Sequence, residues 1–491
     1  MIIMDVNVIN VIKGSTRTRV QISLQHPHAL LLRDMFKGIL SDYDWNKRLH
    51  SYELMNRYYY YSKRNSEFVI PASYTKDVIN EIKLLNVPMI ESNETLIKGR
   101  RVKLKMIKSF RPKPNQVEAI EYLSQDSPYN KGLSLMTGAG KTVVTIAAIA
   151  RRGKAAMVVT SGLTEQWYQS FIRFTNCHNR VVVVQGIQSL MKLMDSNDKP
   201  DVIIFSLETL RRYVNREENY KDIPPYETFI KYFGIDTKVV DECHQNFHAN
   251  TLIDLHSNIL NNIYLTATFT SSNAQTKKIF DRIYPPDIRF GASVRERYID
   301  IWSYGYRCDV PEKCYMKAKG YSHHGYEKYF YKRVTKLQWF FETVLSYVID
   351  EHYERRCKAG AKCLIFFSQL IMIEEAAKFL EHRYPNRKVG IYVGESEDTA
   401  YNDYEIIVSN AKKAGTGKDI PNLYVVINTI SFSSPTLTEQ MLGRLRKLPD
   451  GTTPHYIEVV NLMSRKHMRQ RMDRQEIHHR LARNYIMENI P

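Results

Sequence analysis

The chain reads as an α/β protein with two tandem parallel-sheet units of similar size, a small α+β unit before them and a helix at the C-terminal end. Three observations predict this. Short Val/Ile-rich runs alternate with helical stretches between 107 and 292, the same alternation returns from about 362 to 460, and the first hundred residues lack it. Apolar runs this short, punctuated by helices, are the pattern of strands covered on both faces.

The elements follow in order. Residues 1–106 carry short strand-like runs (VNVINVI, RVQISL), a helix near Ala29 to Leu40, the aromatic stretch RYYYYSKRNSEFVIP and a second helix near Tyr74 to Leu85. The run Tyr58 to Tyr61 fits a half-buried strand better than a base-stacking platform. This unit ends in a basic segment, Lys98, Arg100, Arg101, Lys103, Lys105 and Lys108, which is either a linker or a phosphate-facing strand. Residues 107–292 supply the runs GLSLMT, AAMVVT, RVVVVQ, DVIIFS, KVVDE and NIYLTAT. Residues 293–460 begin with a long helical stretch near Tyr326 to Arg356, then KCLIFF, KVGIYV, YEIIVS, LYVVINT and PHYIEVV. Two such units are expected to form two stacked sheets with a cleft between them. Residues 461–491 read as a basic helix with an apolar stripe at Met468, Met472, Ile477, Leu481 and Tyr485 and its arginines facing solvent.

Length and charge narrow the field. A chain of 491 residues exceeds one hydrophobic core. With 43% hydrophobic and 25% charged residues it has an ordinary globular composition. The formal net charge of +18 is the electrostatic footprint of a protein that lies on phosphates. No stretch has the length of a membrane span, and the apolar N-terminus, broken by Asp5, Asn7 and Asn10, reads as a strand rather than a leader. The six cysteines contain no C-x2-C pair and read as reduced thiols, with Cys363 in the core. A cytoplasmic location is expected, in the bacterial host if the gene belongs to a phage.

The strongest local signal is LSLMTGAGKTVVTIAAIA, 133–150. A strand runs into Thr137, Gly138, Ala139, Gly140, Lys141 and Thr142, and a helix follows. Glycines let several backbone N–H groups converge on phosphate oxygens, and the helix N-terminus adds its positive end. Lys141 can reach the β and γ phosphates of ATP, and the Thr142 hydroxyl can ligate Mg2+. The strict pattern has glycine where this chain has Leu135.

The second signal is KVVDECH, 238–244. Acids at a strand end lie where α/β folds place ligands. Asp241 is placed to hold Mg2+, and Glu242 to orient and deprotonate a water. The third is TEQMLGRLRKLP, 438–449, with Gln440, Gly443, Arg444 and Arg446 after the second sheet. A γ-phosphoryl group in transfer needs a cation, and Arg444 or Arg446 can supply it from the second unit when the cleft closes.

With these motifs in this order, residues 107–460 resemble the superfamily 2 helicases. The resemblance implies two RecA-like domains, ATP and Mg2+ as cofactors, and a nucleic-acid partner. Gln116, in FRPKPNQVEAI, looks like the family's adenine-reading glutamine, with Lys113 where the family has arginine. DECH matches the DExH form of the acidic motif, which implies that His244 couples towards Gln440. LTAT, Leu265 to Thr268, looks like the motif coupling ATP to nucleic acid. The resemblance further implies strand-gripping residues at Thr160, Ser161, Gly162, Ser206 and Thr209 in the first domain, and Ser368, Gly394 and Thr416 in the second. Gly417 and Asp419 would face the nucleotide. The second arginine of the last motif comes two residues after the first, where the family has three, so Arg444 and Arg446 both stand as the finger. Length, DECH and the small leading unit are similar to the UvsW-like branch-migration helicases of tailed phages. That likeness implies a DNA-dependent ATPase, monomeric on branched or forked DNA of any sequence, acting in recombination, repair or replication. An RNA helicase and a duplex translocase without strand separation are the alternatives.

Overall fold

The computed structural model describes residues 8–491 apart from 47–50, 98, 136–139, 197, 218–223, 267–268, 270–273, 292–296, 318–319, 395, 397–399, 412–419 and 449. Its contacts group into two compact units, one up to Gly291 and one from Arg297 onward. Among the described residues no helix is long and apolar enough to cross a membrane.

The first unit opens with β1 (Ile9–Lys13), β2 (Arg17–Gln21), β3 (Ser41–Asn46), β4 (Ser51–Arg57), β5 (Tyr60–Ser62), β6 (Glu67–Pro71) and β7 (Met89–Asn93). Five of them make a mixed sheet in the order β5-β6-β2-β1-β7, while β3 and β4 form a separate antiparallel hairpin. Helices Ala29–Ile39 and Thr75–Leu84 bury Leu32, Phe36, Val78 and Ile82, residues spaced three or four apart. The tyrosine run departs from the half-buried strand expected of it: Tyr58 and Tyr59 are both core residues in the link between β4 and β5, and only Tyr60 and Tyr61 lie on β5, half-buried.

The first parallel sheet contains β8 (Asn130–Ser134), β9 (Ala156–Thr160), β10 (Val181–Val184), β11 (Val202–Ser206), β12 (Thr237–Val240), β13 (Asn261–Thr266) and β14 (Arg289–Gly291). Its order is β10-β11-β9-β12-β13-β8-β14, and every neighbouring pair is parallel. The second unit contains β15 (Ile299–Tyr306), a short hairpin of β16 (Met316–Lys317) and β17 (Gly320–Tyr321), then β18 (Lys362–Phe367), β19 (Val389–Tyr392), β20 (Ile406–Asn410), β21 (Leu423–Asn428), β22 (His455–Asn461) and β23 (Ala482–Asn489). Its seven-stranded sheet runs β19-β20-β18-β21-β22-β15-β23, again all parallel. Numbered along each sheet's own chain, both orders are 3-4-2-5-6-1-7. The two units are therefore repeats of one topology, that of RecA-like domains.

This topology corrects the C-terminal expectation. The helix over 461–489 is Arg465–Leu481 alone, and Ala482–Asn489 turns back as the seventh strand, beside β15. The apolar stripe is corrected as well. Met472 is 67% exposed, and the buried face carries His467, Gln470, Arg474, Ile477, His478 and Leu481. Arg474 does not face solvent: it is fully buried, paired with Glu458 at 2.8 Å.

The leading sheet shares a core with the first parallel sheet. Val11, Phe36, Tyr58 and Phe68 cluster with Val240, Cys243, Phe247, Tyr264 and Phe280. The β1–β2 turn fastens that contact. Ser15 Oγ donates to the Ile259 carbonyl at 2.6 Å, Thr16 Oγ1 to the Asp254 carbonyl at 2.9 Å, and buried Arg17 joins Glu94 and Glu227. Burying these hydroxyls and charges is tolerable because each is paired.

Candidate functional site

In the first unit β8 runs towards the phosphate loop and helix Lys141–Arg152 leaves it. Thr137, Gly138 and Ala139 lie outside the described residues, as do Thr416, Gly417, Asp419 and Thr268. Gly140 sits before the helix at φ +90, where an L side chain is strained, and a Cβ there would come 2.5 Å from Gln116 Nε2. That close approach seats buried Gln116 against the loop. Its Oε1 accepts from Lys113 N at 3.0 Å, which fixes its orientation at the start of helix Pro114–Ser124. Lys113 thus orients the glutamine through its backbone.

Lys141 Nζ lies 3.1 Å from Glu242 Oε1. Thr142 follows it on the first helical turn. Asp241, just past β12, is half-buried, and its Oδ2 accepts from Trp167 Nε1 at 2.8 Å while Oδ1 accepts from the Glu242 N–H at 3.0 Å. Burial and the neighbouring Glu242 carboxylate push the Asp241 carboxyl from 3.8 up to about 6, against the pull of Lys141 and Trp167. Glu242 itself has φ +48, a left-handed conformation costly for a non-glycine residue. Two adjacent carboxylates, one with its charged form disfavoured, suit a divalent cation with oxygen ligands. Asp241 and the Thr142 hydroxyl fit Mg2+ on that ground.

His244 closes the motif. Its Nδ1 meets Thr266 Oγ1 at 2.7 Å and lies 3.4 Å from Glu242 Oε2. Burial lowers its pKa and so favours the neutral ring. DECH and LTAT are therefore joined by the His244–Thr266 hydrogen bond and by Cys243 N, which donates to the Leu265 carbonyl at 2.9 Å.

The strand ends of β9 and β11 open on a cavity of about 390 Å3 lined by Thr160, Ser161, Gly162, Ser206, Arg211 and Asn246 among others. Four of the five strand-gripping candidates in this unit meet there. Thr209 does not: it is buried, and its hydroxyl accepts from Gly186 N and bonds Ser206 Oγ, each at 2.7 Å. It braces the cavity from behind. Arg211 and Asn246 were missed from sequence. Arg211 lies on the helix after β11, five residues beyond Ser206, and only that spacing marks it. Asn246 has φ +51 and carries no sequence signal beyond the tolerance of asparagine for that region.

The second unit carries Gln440 on helix Pro435–Leu442, whose start is capped by Ser434 Oγ accepting from Leu437 N at 3.3 Å. Arg444 is buried, and the Arg446 guanidinium turns back to the carbonyl of Gly443. Ser368 is held by buried Glu327, which accepts from its backbone N–H at 2.7 Å and its hydroxyl at 2.8 Å. Gly394 ends the β19 turn with open space where a Cβ would stand. Helix Arg465–Leu481 braces the segment that leads to Gln440. Arg474 reaches the Phe432 carbonyl, Ser431 Oγ donates to Gln470 Oε1 at 2.6 Å, and Arg480 pairs with Glu439.

Fold and motifs resemble those of the superfamily 2 helicases, a class that binds nucleotide and hydrolyses ATP. Residues 109–271 match the family ResIII, described as type III restriction enzyme, res subunit. S. cerevisiae Dbp5 bound to RNA and ADP BeF3 is similar over 78% of this chain and 91% of its own, at 14% identity and a TM-score of 0.50. Mss116p bound to ssRNA and AMP-PNP is similar over 77% and 74%, at 12% identity and a TM-score of 0.51. At such identities the likeness concerns the fold. T4 UvsW aligns over 98% of this chain and 99% of its own at 16% identity, with a TM-score of 0.36, too low to carry an argument. No curated protein matches the chain by sequence.

Proposed function

We propose that the chain is an ATP-driven DNA helicase that works on branched DNA, forks or four-way junctions, without sequence preference. The observation that carries the motor reading is the chain of contacts from Lys141 through Glu242 and His244 to Thr266, which links the phosphate cradle to the coupling motif. The branched-DNA reading is supported by the net charge of +18 and by a leading sheet that shares its core with the DECH segment.

In this proposal Lys141 and the N-terminus of its helix bind the triphosphate, and Gln116 reads adenine. Mg2+, held by Asp241 and Thr142, neutralises charge on the β and γ phosphates. Glu242 orients and deprotonates the attacking water. Arg444 or Arg446 supplies the cation for the γ-phosphoryl group during turnover, and Gln440 relays the change through His244. Thr160, Ser161, Gly162, Ser206, Ser368, Gly394 and Thr416 grip the backbone of one strand, while Gly417 and Asp419 face the nucleotide. Phosphate contacts dominate, so binding tolerates any sequence and weakens with salt.

An RNA substrate is the second reading, since the two solved relatives with TM-scores of 0.50 and 0.51 hold RNA. Duplex translocation without strand separation is the third, in keeping with the restriction-enzyme description of the matched family. ATP turnover and unwinding, measured side by side on fork, junction, blunt duplex and RNA, decide among them. Turnover greatest on fork and junction, with strand separation, supports the proposal; greatest turnover on RNA, or turnover without separation, overturns it.

A further inference from the structure

Between Glu94 and Glu118 the sequence has eight Lys and Arg residues and no acid. From Arg101 to Met106 this segment behaves as a half-buried strand. Val102, Leu104 and Met106 turn inward onto the core of the first unit, and Arg101, Lys103 and Lys105 turn outward, exposed. Backbone bonds hold it straight: Val102 N to Gly153 O at 2.9 Å, Asn176 N to Lys105 O at 3.1 Å, and Ile107 N to Phe174 O at 2.9 Å. Lys108 continues the exposed row. None of these four cations has an ion pair among the described residues, whereas buried Asp201 takes up neighbouring Arg100.

The location sets this row apart from the strand-gripping cavity. Gly153 precedes β9, Gly234 (whose carbonyl accepts from Arg100 N) precedes β12, and Phe174 to Asn176 precede β10. The row therefore lies along the N-terminal edge of the parallel sheet. The cavity lies at the C-terminal ends of β9 and β11, a strand length or about 16 Å away.

We propose that Arg101, Lys103, Lys105 and Lys108 form a second nucleic-acid contact that holds the phosphate backbone of a duplex arm. The proposal rests on the nucleic-acid motor reading above and deepens it. Residues i and i+2 of an extended strand are about 6.6 Å apart, and a duplex carries a phosphate about every 3.4 Å of axis on each strand, so a straight row of cations at this spacing runs past several phosphates. A row held straight by backbone bonds suits a regular backbone. Single strands are gripped by cations interleaved with aromatic platforms. The one aromatic residue in the segment, Phe110, is instead packed edge-on against Phe174. Two contacts on opposite edges of one sheet suit a ligand with two arms.

The test compares the full-length chain with the triple variant Lys103→Gln, Lys105→Gln, Lys108→Gln. A control triple, Lys332→Gln, Lys336→Gln, Lys358→Gln, removes the same charge from exposed positions of the second unit. Binding of a fork, a blunt duplex and a single strand is titrated between about 50 and 200 mM salt. For the fork and duplex the log–log salt slope should shrink by about 0.9 per lost phosphate contact, about 2.7 in all, or roughly 40-fold in relative affinity across that range. Single-strand affinity and single-strand-stimulated ATP turnover should stay as in the parent. An unchanged duplex slope, or an equal loss in the control triple, overturns the stripe while leaving the motor reading intact. A parent chain that binds no nucleic acid overturns both.

Discussion

Tyr58 packs on Phe247 with ring centroids 5.2 Å apart, so the leading sheet rests on the helix that follows DECH. Tyr58 also donates to buried Asp42 at 2.8 Å, and Asp42 accepts from Thr276, on the helix beyond LTAT, at 3.0 Å. Removing residues 1–106 would expose Val240, Cys243, Phe247 and Tyr264. Such a truncation is expected to aggregate rather than report on substrate choice. Tyr58→Ala should cost about 3–5 kcal/mol, and Tyr58→Phe about 1–3 kcal/mol through the loss of one donor to the buried Asp42 carboxylate, which keeps Asn56 and Thr276. Chemical denaturation of the full chain measures both.

Asp241 gives the site its pH dependence. On the proposed assignment, the protonated Asp241 carboxyl found below about pH 6 would not hold Mg2+. The kcat/KM profile, which reports the free enzyme, should fall about tenfold per pH unit below that point. Stability moves the other way. A carboxyl whose folded pKa exceeds its unfolded value binds its proton more tightly when folded, so the nucleotide-free fold loses stability as pH rises from 3.8 to about 6. Asp241→Asn should therefore abolish turnover yet stabilise the nucleotide-free chain at pH 8 by about 1–3 kcal/mol. Trp167→Phe removes a donor to the charged form and should move the acid limb upward, with turnover at pH 8 largely kept. An acid limb left in place by Trp167→Phe would show that the indole N–H does not govern Asp241.

Glu242 and Lys141 separate binding from chemistry. Glu242→Gln should keep ATP affinity and reduce turnover by about 10^2 to 10^4, the range of general-base catalysis. Lys141→Ala should lose nucleotide affinity as well. Equilibrium binding of a fluorescent ATP analogue beside a phosphate-release assay distinguishes the two.

Arg444→Ala and Arg446→Ala decide which arginine serves the phosphoryl group. The finger's loss should lower kcat by about 10^3 to 10^5 with ATP affinity nearly intact. The other variant should show a far smaller change. Equal, small effects in both would remove the last motif from the chemistry.

Arg474→Met tests the brace in the second unit. It leaves Glu458 buried beside His478 with no guanidinium, at an expected cost of about 3–5 kcal/mol. The double variant Arg474→Met, Glu458→Met should recover most of that stability, read by thermal unfolding.

Sequence by itself determined the layered α/β class and the two repeats, and it singled out the candidate ATP-site residues. Those features are local: a run such as VVVV or KCLIFF is a buried strand whatever surrounds it, and a Gly-x-Gly-Lys-Thr turn binds phosphate through its own backbone. IDIWSYGY was not legible as β15, nor ARNYIMEN as β23, because mixed polar and aromatic strands are stabilised by their neighbours rather than by their pattern. Arg474 looked solvated for the same reason, since its partner Glu458 is sixteen residues away, on β22 rather than on its own helix. Only the tertiary structure decided that Trp167 holds Asp241, that Thr209 stands behind its cavity, and that the leading sheet and the DECH segment share one core. Each of those depends on atoms far apart in the chain, brought together by the cost of leaving polar and apolar groups unpaired.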